Sequence, residues 1–210
     1  MRLFIIYLLM CCCFAFAYPA MAQESTPQIN KEMRDKILNE AHVRGFVWGL
    51  PRSVIKEQEA GNFVEEAEDG TLFFVDRIDG IKSSITYEFV DDKLYRARVF
   101  SERTYTRPQD RINDLAKVKR YFDARFGAPI KEDFEWKSDR DKKFPNEWGW
   151  TVYRGELNIT ITWQDEETFV TAFLGSKKPF KPVLFFVYED AQLRQGRIDN
   201  SMKIKSLTKP

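Results

Sequence analysis

With a single histidine, the chain has few routes to catalysis. His42 stands near the end of a segment with helical spacing, where an imidazole usually faces solvent or meets the negative end of the helix. The three cysteines sit together at Cys11, Cys12 and Cys13, inside an apolar run at the start of the chain. Loss of that run leaves no thiol for a nucleophile, a disulfide or a zinc site. A Ser-His-Asp or Cys-His arrangement lacks its parts. Acid–base work by paired carboxylates needs only Asp and Glu, and the chain has 32 of them. Most fall at turn signals (Asp69, Asp79, Asp91, Asp92, Asp165) or at outward strand positions (Glu88, Asp133, Glu135), which reads as a solvated set. Asp139 and Asp141 begin like a calcium loop, but the third ligand and the glycine are missing, and Lys142 and Lys143 follow. No glycine-rich loop follows a strand to cradle phosphate. Asn158-Ile159-Thr160 fits a glycosylation acceptor but lies inside a strand pattern. No catalytic residue, no metal and no cofactor is expected.

Binding is the chemistry that the residues leave open. The polar stretch Ser138–Glu147 joins two apolar segments where a hairpin needs only two to five residues. Its residues Asp139, Arg140, Asp141, Lys142 and Lys143 mix both charge signs, and Phe144-Pro145 adds an apolar anchor on a stiff backbone. This is the candidate partner-binding loop. Trp136, Trp150 and Trp163 each fall on the apolar side of a segment read as a strand. They either pack beneath the central helix or line an exposed aromatic groove for a peptide or glycan.

The elements that hold these residues follow a cleavable leader. Arg2 precedes an apolar run ending in Ala20-Met21-Ala22, the small-residue pattern a signal peptidase cuts after. The expected mature chain starts at Gln23 and keeps 188 of the 210 residues, long enough for a sizeable core. The leader removes one of 33 basic residues and none of the 32 acidic ones, so the mature charge balances. That gives no case for nucleic acid, which needs a basic field, nor for a general anionic-membrane binder. The location implied is periplasmic or secreted, and after cleavage no transmembrane segment is expected.

Residues 26–44 form an amphipathic pattern with Ile29, Met33, Ile37 and Leu38 on one side and Gly45 as its stop. Pro51 opens a short helix that Gly61 ends. Strands follow at Asn62–Ala67, Thr71–Arg77, around Ile85–Phe89 and at Leu94–Ser101, separated by Asp-Gly and Asp-Asp turns. Thr106-Arg107-Pro108-Gln109 fits a capping box. It opens a central helix with Ile112, Leu115, Val118, Phe122 and Phe126 on one face, stopped at Gly127-Ala128-Pro129. A second meander is predicted from Ile130–Trp136, Trp148–Arg154, Leu157–Trp163, Thr168–Leu174 and the doubly apolar Val183–Tyr188. The fold class is therefore α+β: helix, β-meander, helix, β-meander, with helices on one face of antiparallel sheet. The domains expected are a signal peptide at 1–22, a peripheral helix at 23–45, one α+β domain at 46–191 and a polar tail at 192–210.

Phe46-Val47-Trp48-Gly49, Tyr87-Glu88-Phe89-Val90-Asp91-Asp92-Lys93-Leu94-Tyr95, Tyr121-Phe122 to Phe126-Gly127-Ala128-Pro129 and the Trp before Leu157-Asn158-Ile159-Thr160 carry a resemblance. Over residues 46–174 the chain resembles a broad group of small secreted bacterial proteins of unknown function. More distantly, it is similar to β-lactamase-inhibitor-like and outer-membrane-assembly lipoprotein folds. The resemblance implies binding or envelope maintenance and supplies no site residues. The expectation is an exported, non-catalytic binding or envelope-accessory protein whose partner is another envelope protein. The alternatives are a carboxylate-type hydrolase acting on an envelope glycan, and a small-ligand carrier using an aromatic groove.

Overall fold

The computed structural model describes residues 43–195, apart from 79, 139–141 and 177. The leader, His42, most of the 26–44 pattern and the tail beyond 195 lie outside the described residues. Eight strands build one sheet: β1 (Phe63–Glu66), β2 (Leu72–Ile78), β3 (Ile81–Val90), β4 (Lys93–Ser101), β5 (Lys131–Trp136), β6 (Leu157–Gln164), β7 (Thr168–Gly175) and β8 (Val183–Asp190). Three helices join them: α1 (Arg52–Gln58), α2 (Gln109–Phe126) and α3 (Trp148–Tyr153). A helical turn over 191–195 follows β8.

The strand order is β1-β2-β3-β4-β8-β7-β6-β5, with every neighbouring pair antiparallel. Each meander runs inward from its own edge, and the two meet at the β4–β8 seam, so the halves share one sheet. This is the α+β plan expected from the sequence. The doubly apolar Val183–Tyr188 segment is indeed central.

Residues buried and half-buried alternate along β3, β7 and β8, as a two-residue period demands when one face is covered. The closed face holds Phe74, Ile85, Tyr87, Ala97, Val99, Ile161, Trp163, Val170 and Ala172, all within one apolar cluster that includes α1, α2 and α3 residues. α2 docks by Leu115 and Phe122. The Phe122 ring lies 5.0 Å from Trp163, 5.5 Å from Phe186 and 5.6 Å from Tyr188. Gly127, at φ 78°, ends the helix in a conformation that favours glycine.

Three local expectations are corrected. Trp148–Arg154 is not a strand: Trp148–Tyr153 is helix α3. The cause is long-range. Gly149 N–H donates to Gln109 Oε1 at 3.1 Å, and the two backbones approach so closely that a β-carbon on Gly149 would stand 2.5 Å from Gln109 Cα. Helical spacing then turns Trp148 and Val152 inward and Trp150 outward. Trp150 is 51 % exposed instead of lying in the core. Nor does the capping box form. α2 begins after Pro108 with no side-chain cap, because the Gln109 side chain is engaged by Gly149. Finally, the 26–44 helical pattern cannot reach Arg44. Val43 and Phe46 pair across a tight turn, with Arg44 at φ 49° and Gly45 at φ 89°.

Candidate binding surface

The face of the sheet opposite α1, α2 and α3 is met at one side by the 191–195 turn, whose Arg194 lies over Phe169. Strand register sets its side chains in rows. Phe100 of β4 pairs with Phe185 of β8, which pairs with Phe173 of β7. The ring centroids are 5.3 Å and 5.1 Å apart. Val75 and Ser84 extend this row to one side and Thr160 to the other. The next row holds Phe73, Thr86, Arg98, Val187, Thr171 and Thr162. The result is a half-buried aromatic centre in a threonine-rich surround. Aromatic pairs of this geometry contribute beyond their buried area.

A charged ladder flanks the aromatic row. Arg96 donates to Glu189 at 2.7 Å and to Glu88 at 3.0 Å. Arg98 meets Glu88 at 2.9 Å, and the Tyr95 hydroxyl donates to Glu88 at 2.9 Å. Arg194 pairs with Glu189 and lies 3.5 Å from the Phe169 ring centroid. Burial works against the Arg96 charge, but its bond to Glu189 and the nearby carboxylates outweigh it and raise its pKa. Three guanidinium groups thus share two carboxylates, leaving the ladder one positive charge in excess.

A second polar cluster lies on the closed side. Arg44 donates to Asp76 at 2.6 Å, to Glu59 at 3.3 Å and to the Tyr87 hydroxyl at 3.2 Å. Tyr87 in turn donates to Glu59 at 2.9 Å. Burial opposes the Arg44 charge, but Tyr87, Asp76 and Glu59 raise its pKa. Burial, then Glu59, pushes the Tyr87 phenol up. The bond from Arg44 holds Asp76 below its usual range. This is a latch that ties the 43–46 turn to the sheet. Among the described carboxylates with a shifted pKa, Glu66, Asp69, Asp76 and Asp123, every shift is downward, whereas a general acid at neutral pH needs the opposite.

Of the loop residues singled out in the sequence, Asp139, Arg140 and Asp141 lie outside the described residues. Lys142, Lys143, Phe144 and Pro145 are exposed, Phe144 by 51 %. The loop leads through a short 3-10 turn, Pro145–Glu147, into α3, and is not the long tip of a hairpin. The aromatic row was missed because its members lie in separate strands. Their outward positions in β4, β7 and β8 carry the only local signal.

Trp163 is fully buried beneath α2, and Trp136 packs on Trp148 at 5.4 Å, so these two belong to the core. Trp48 donates to Thr168 Oγ1 at 3.1 Å and anchors its turn to β7. A cavity of about 30 Å³ lies between Ile78, Ile81, Val118 and Phe186, room for roughly one water. An open polar cleft of about 490 Å³ is lined by Arg77, Lys82, Glu102 and Arg103. Lys82 is paired with Glu102 and Arg103 with Asp114.

Among the described residues, no helix is long and apolar enough to cross a membrane, and no cluster of His, Cys, Asp and Glu is placed to hold a metal ion. Compared with known families, curated proteins and solved structures, the chain matches none.

Proposed function

We propose that this is an exported, non-catalytic binding protein of the cell envelope that holds a protein partner on the open face of its sheet. The observation that carries the reading is the Phe100–Phe185–Phe173 row, half-buried on the face opposite α1, α2 and α3. A contiguous apolar patch rimmed by polar groups is how a protein interaction site is usually built. The excess positive charge of the Arg96–Arg98–Arg194 ladder fits a partner with carboxylates beside an apolar centre. The apolar cavity, with room for roughly one water, favours this reading over a carrier. Export rests on the leader, and intact mass of the exported chain should begin at Gln23.

The test places a photoreactive benzoylphenylalanine at Phe185 and, as a control on the helix side, at Lys117. The reading expects a protein adduct from position 185 and none from 117, with the adduct lost on Arg98→Glu. Crosslinks from 185 that reach only residues 196–210 of the same chain, or an adduct indifferent to Arg98→Glu, overturn it.

A further inference from the structure

Helix α3 and the β7–β8 connection carry a second exposed aromatic feature. Trp150 of α3 and Phe180 of the β7–β8 connection are 51 % and 62 % exposed. Tyr153 joins them, with ring centroids 5.9 Å from Trp150 and 5.2 Å from Phe180. The arrangement is braced from both sides. Phe180 N–H donates to the Tyr153 carbonyl at 2.8 Å. The Arg111 guanidinium lies between the rings of Tyr105 and Tyr153, at 4.5 Å and 5.4 Å. Phe180 has φ 65°, a conformation that costs a bulky side chain strain. The ring is exposed and packs on Tyr153 alone among the described rings.

The charges that flank Phe180 are both positive, and Glu147, three residues before Trp150, adds one carboxylate on the α3 side. Lys178 and Lys181 flank Phe180, and neither ammonium has an ion-pair partner among the described residues. Arg154 and Glu156 cancel each other at 2.7 Å. Neither the Trp150 indole N–H nor the Tyr153 hydroxyl has a hydrogen-bond partner among the described residues.

We infer that Trp150, Tyr153 and Phe180, with Lys178 and Lys181, form a docking tip for an anionic lipid surface. Aromatic rings with free polar ends settle at the headgroup level, where their bodies are apolar and their edges wet. Lysines beside them meet anionic headgroups and keep their stems along the rings. Exposed rings with ammonium groups beside them fit an anionic, fluid surface better than a compact ligand. The balanced charge of the expected mature chain gave no case for lipid, but the local excess does.

The experiment is vesicle co-flotation of the exported protein with phosphatidylcholine alone and with added phosphatidylglycerol. Binding is expected only with the anionic lipid, weakening as salt is raised. Trp150→Ala with Phe180→Ala should reduce the bound fraction about tenfold or more, since each ring would leave the apolar interface. Both side chains are exposed, so the variant should keep the unfolding midpoint of the parent, which is measured alongside. Phe185→Ala, on the open face, should leave flotation unchanged. No flotation with anionic vesicles, or flotation that survives the double substitution, overturns the inference. So does a protein adduct formed at position 150 in cells together with absence of flotation, since that outcome gives the tip to a protein partner.

Discussion

The indole N–H of Trp163 on β6 donates to Asp123 Oδ1 on α2 at 2.9 Å, one residue from the ring of Phe122 that stacks on the same indole. One aromatic side chain therefore fixes both the depth and the rotation of the helix. The ring contact sets how far α2 sinks, and the hydrogen bond sets which face it turns. Asp123 also accepts from Lys119 at 2.8 Å. Burial opposes its charge, but the bonds from Lys119 and Trp163 lower its pKa.

Phe122→Ala should cost about 3–5 kcal/mol, the range for removing a large buried ring, because its four aromatic neighbours outside the preceding residue are set by three different elements. Tyr121 is 53 % exposed, and Tyr121→Ala should cost about 1 kcal/mol or less. Denaturant titration of both variants decides it. Equal, small losses would mean that α2 is not seated by Phe122.

Gly149→Ala separates two effects by sign. Inside a helix, alanine is normally better than glycine by about 1 kcal/mol. Here the new methyl would meet the Gln109 backbone, which cannot move without shifting the start of α2. Thermal unfolding should show a net loss of about 1–3 kcal/mol. Gln109→Ala removes only the hydrogen bond to Gly149 and should lose about 1 kcal/mol. A stabilised Gly149→Ala variant would show that the helix ends are not in contact.

Asp76 gives the acid response a named source. Its folded pKa lies below the ordinary 3.8. A depressed carboxylate contributes stability above its unfolded pKa and loses it as pH falls through the folded value. Stability should therefore fall as the pH drops below about 4. Asp76→Asn should be less stable than the parent at neutral pH, and the gap should narrow as acid protonates the parent. Urea midpoints measured across that range give the comparison. A constant gap would remove Asp76 from the acid response.

Strands of strict alternation are readable locally. Leu157–Trp163 is one, because a two-residue period and the buried face coincide along it. The helix α2 is equally plain from its stripe and the Gly127-Ala128-Pro129 stop. Trp148–Tyr153 is different. Its aromatic and β-branched residues have strand propensity, and the contact that makes it helical is with Gln109, 40 residues earlier. No local window contains that contact. The same contact removes the Gln109 side chain from the capping box. The open face is hidden for a related reason. Phe100, Phe173 and Phe185 form a row only because β8 inserts between β4 and β7, and an outward phenylalanine on one strand says nothing about its neighbours. The Ser138–Glu147 loop was found as a long connection, but its purpose in the fold is to enter α3, not to turn a hairpin.

The seam between β4 and β8 has a consequence for how the chain reaches this structure. The last described strand lies in the middle of the sheet. Arg96 and Glu189, paired across the seam, are 93 residues apart. Until Val183–Asp190 arrives, the sheet exists only as two separate meanders, with the inner edges of β4 and β7 unpaired. Such edges invite wrong partners, and contacts of this span slow folding. A chain cut short before residue 183 loses the middle of the molecule instead of its rim. Assembly of the described sheet has to wait for its last strand in chain order, which makes the order of synthesis and the order of construction opposite at the sheet's centre.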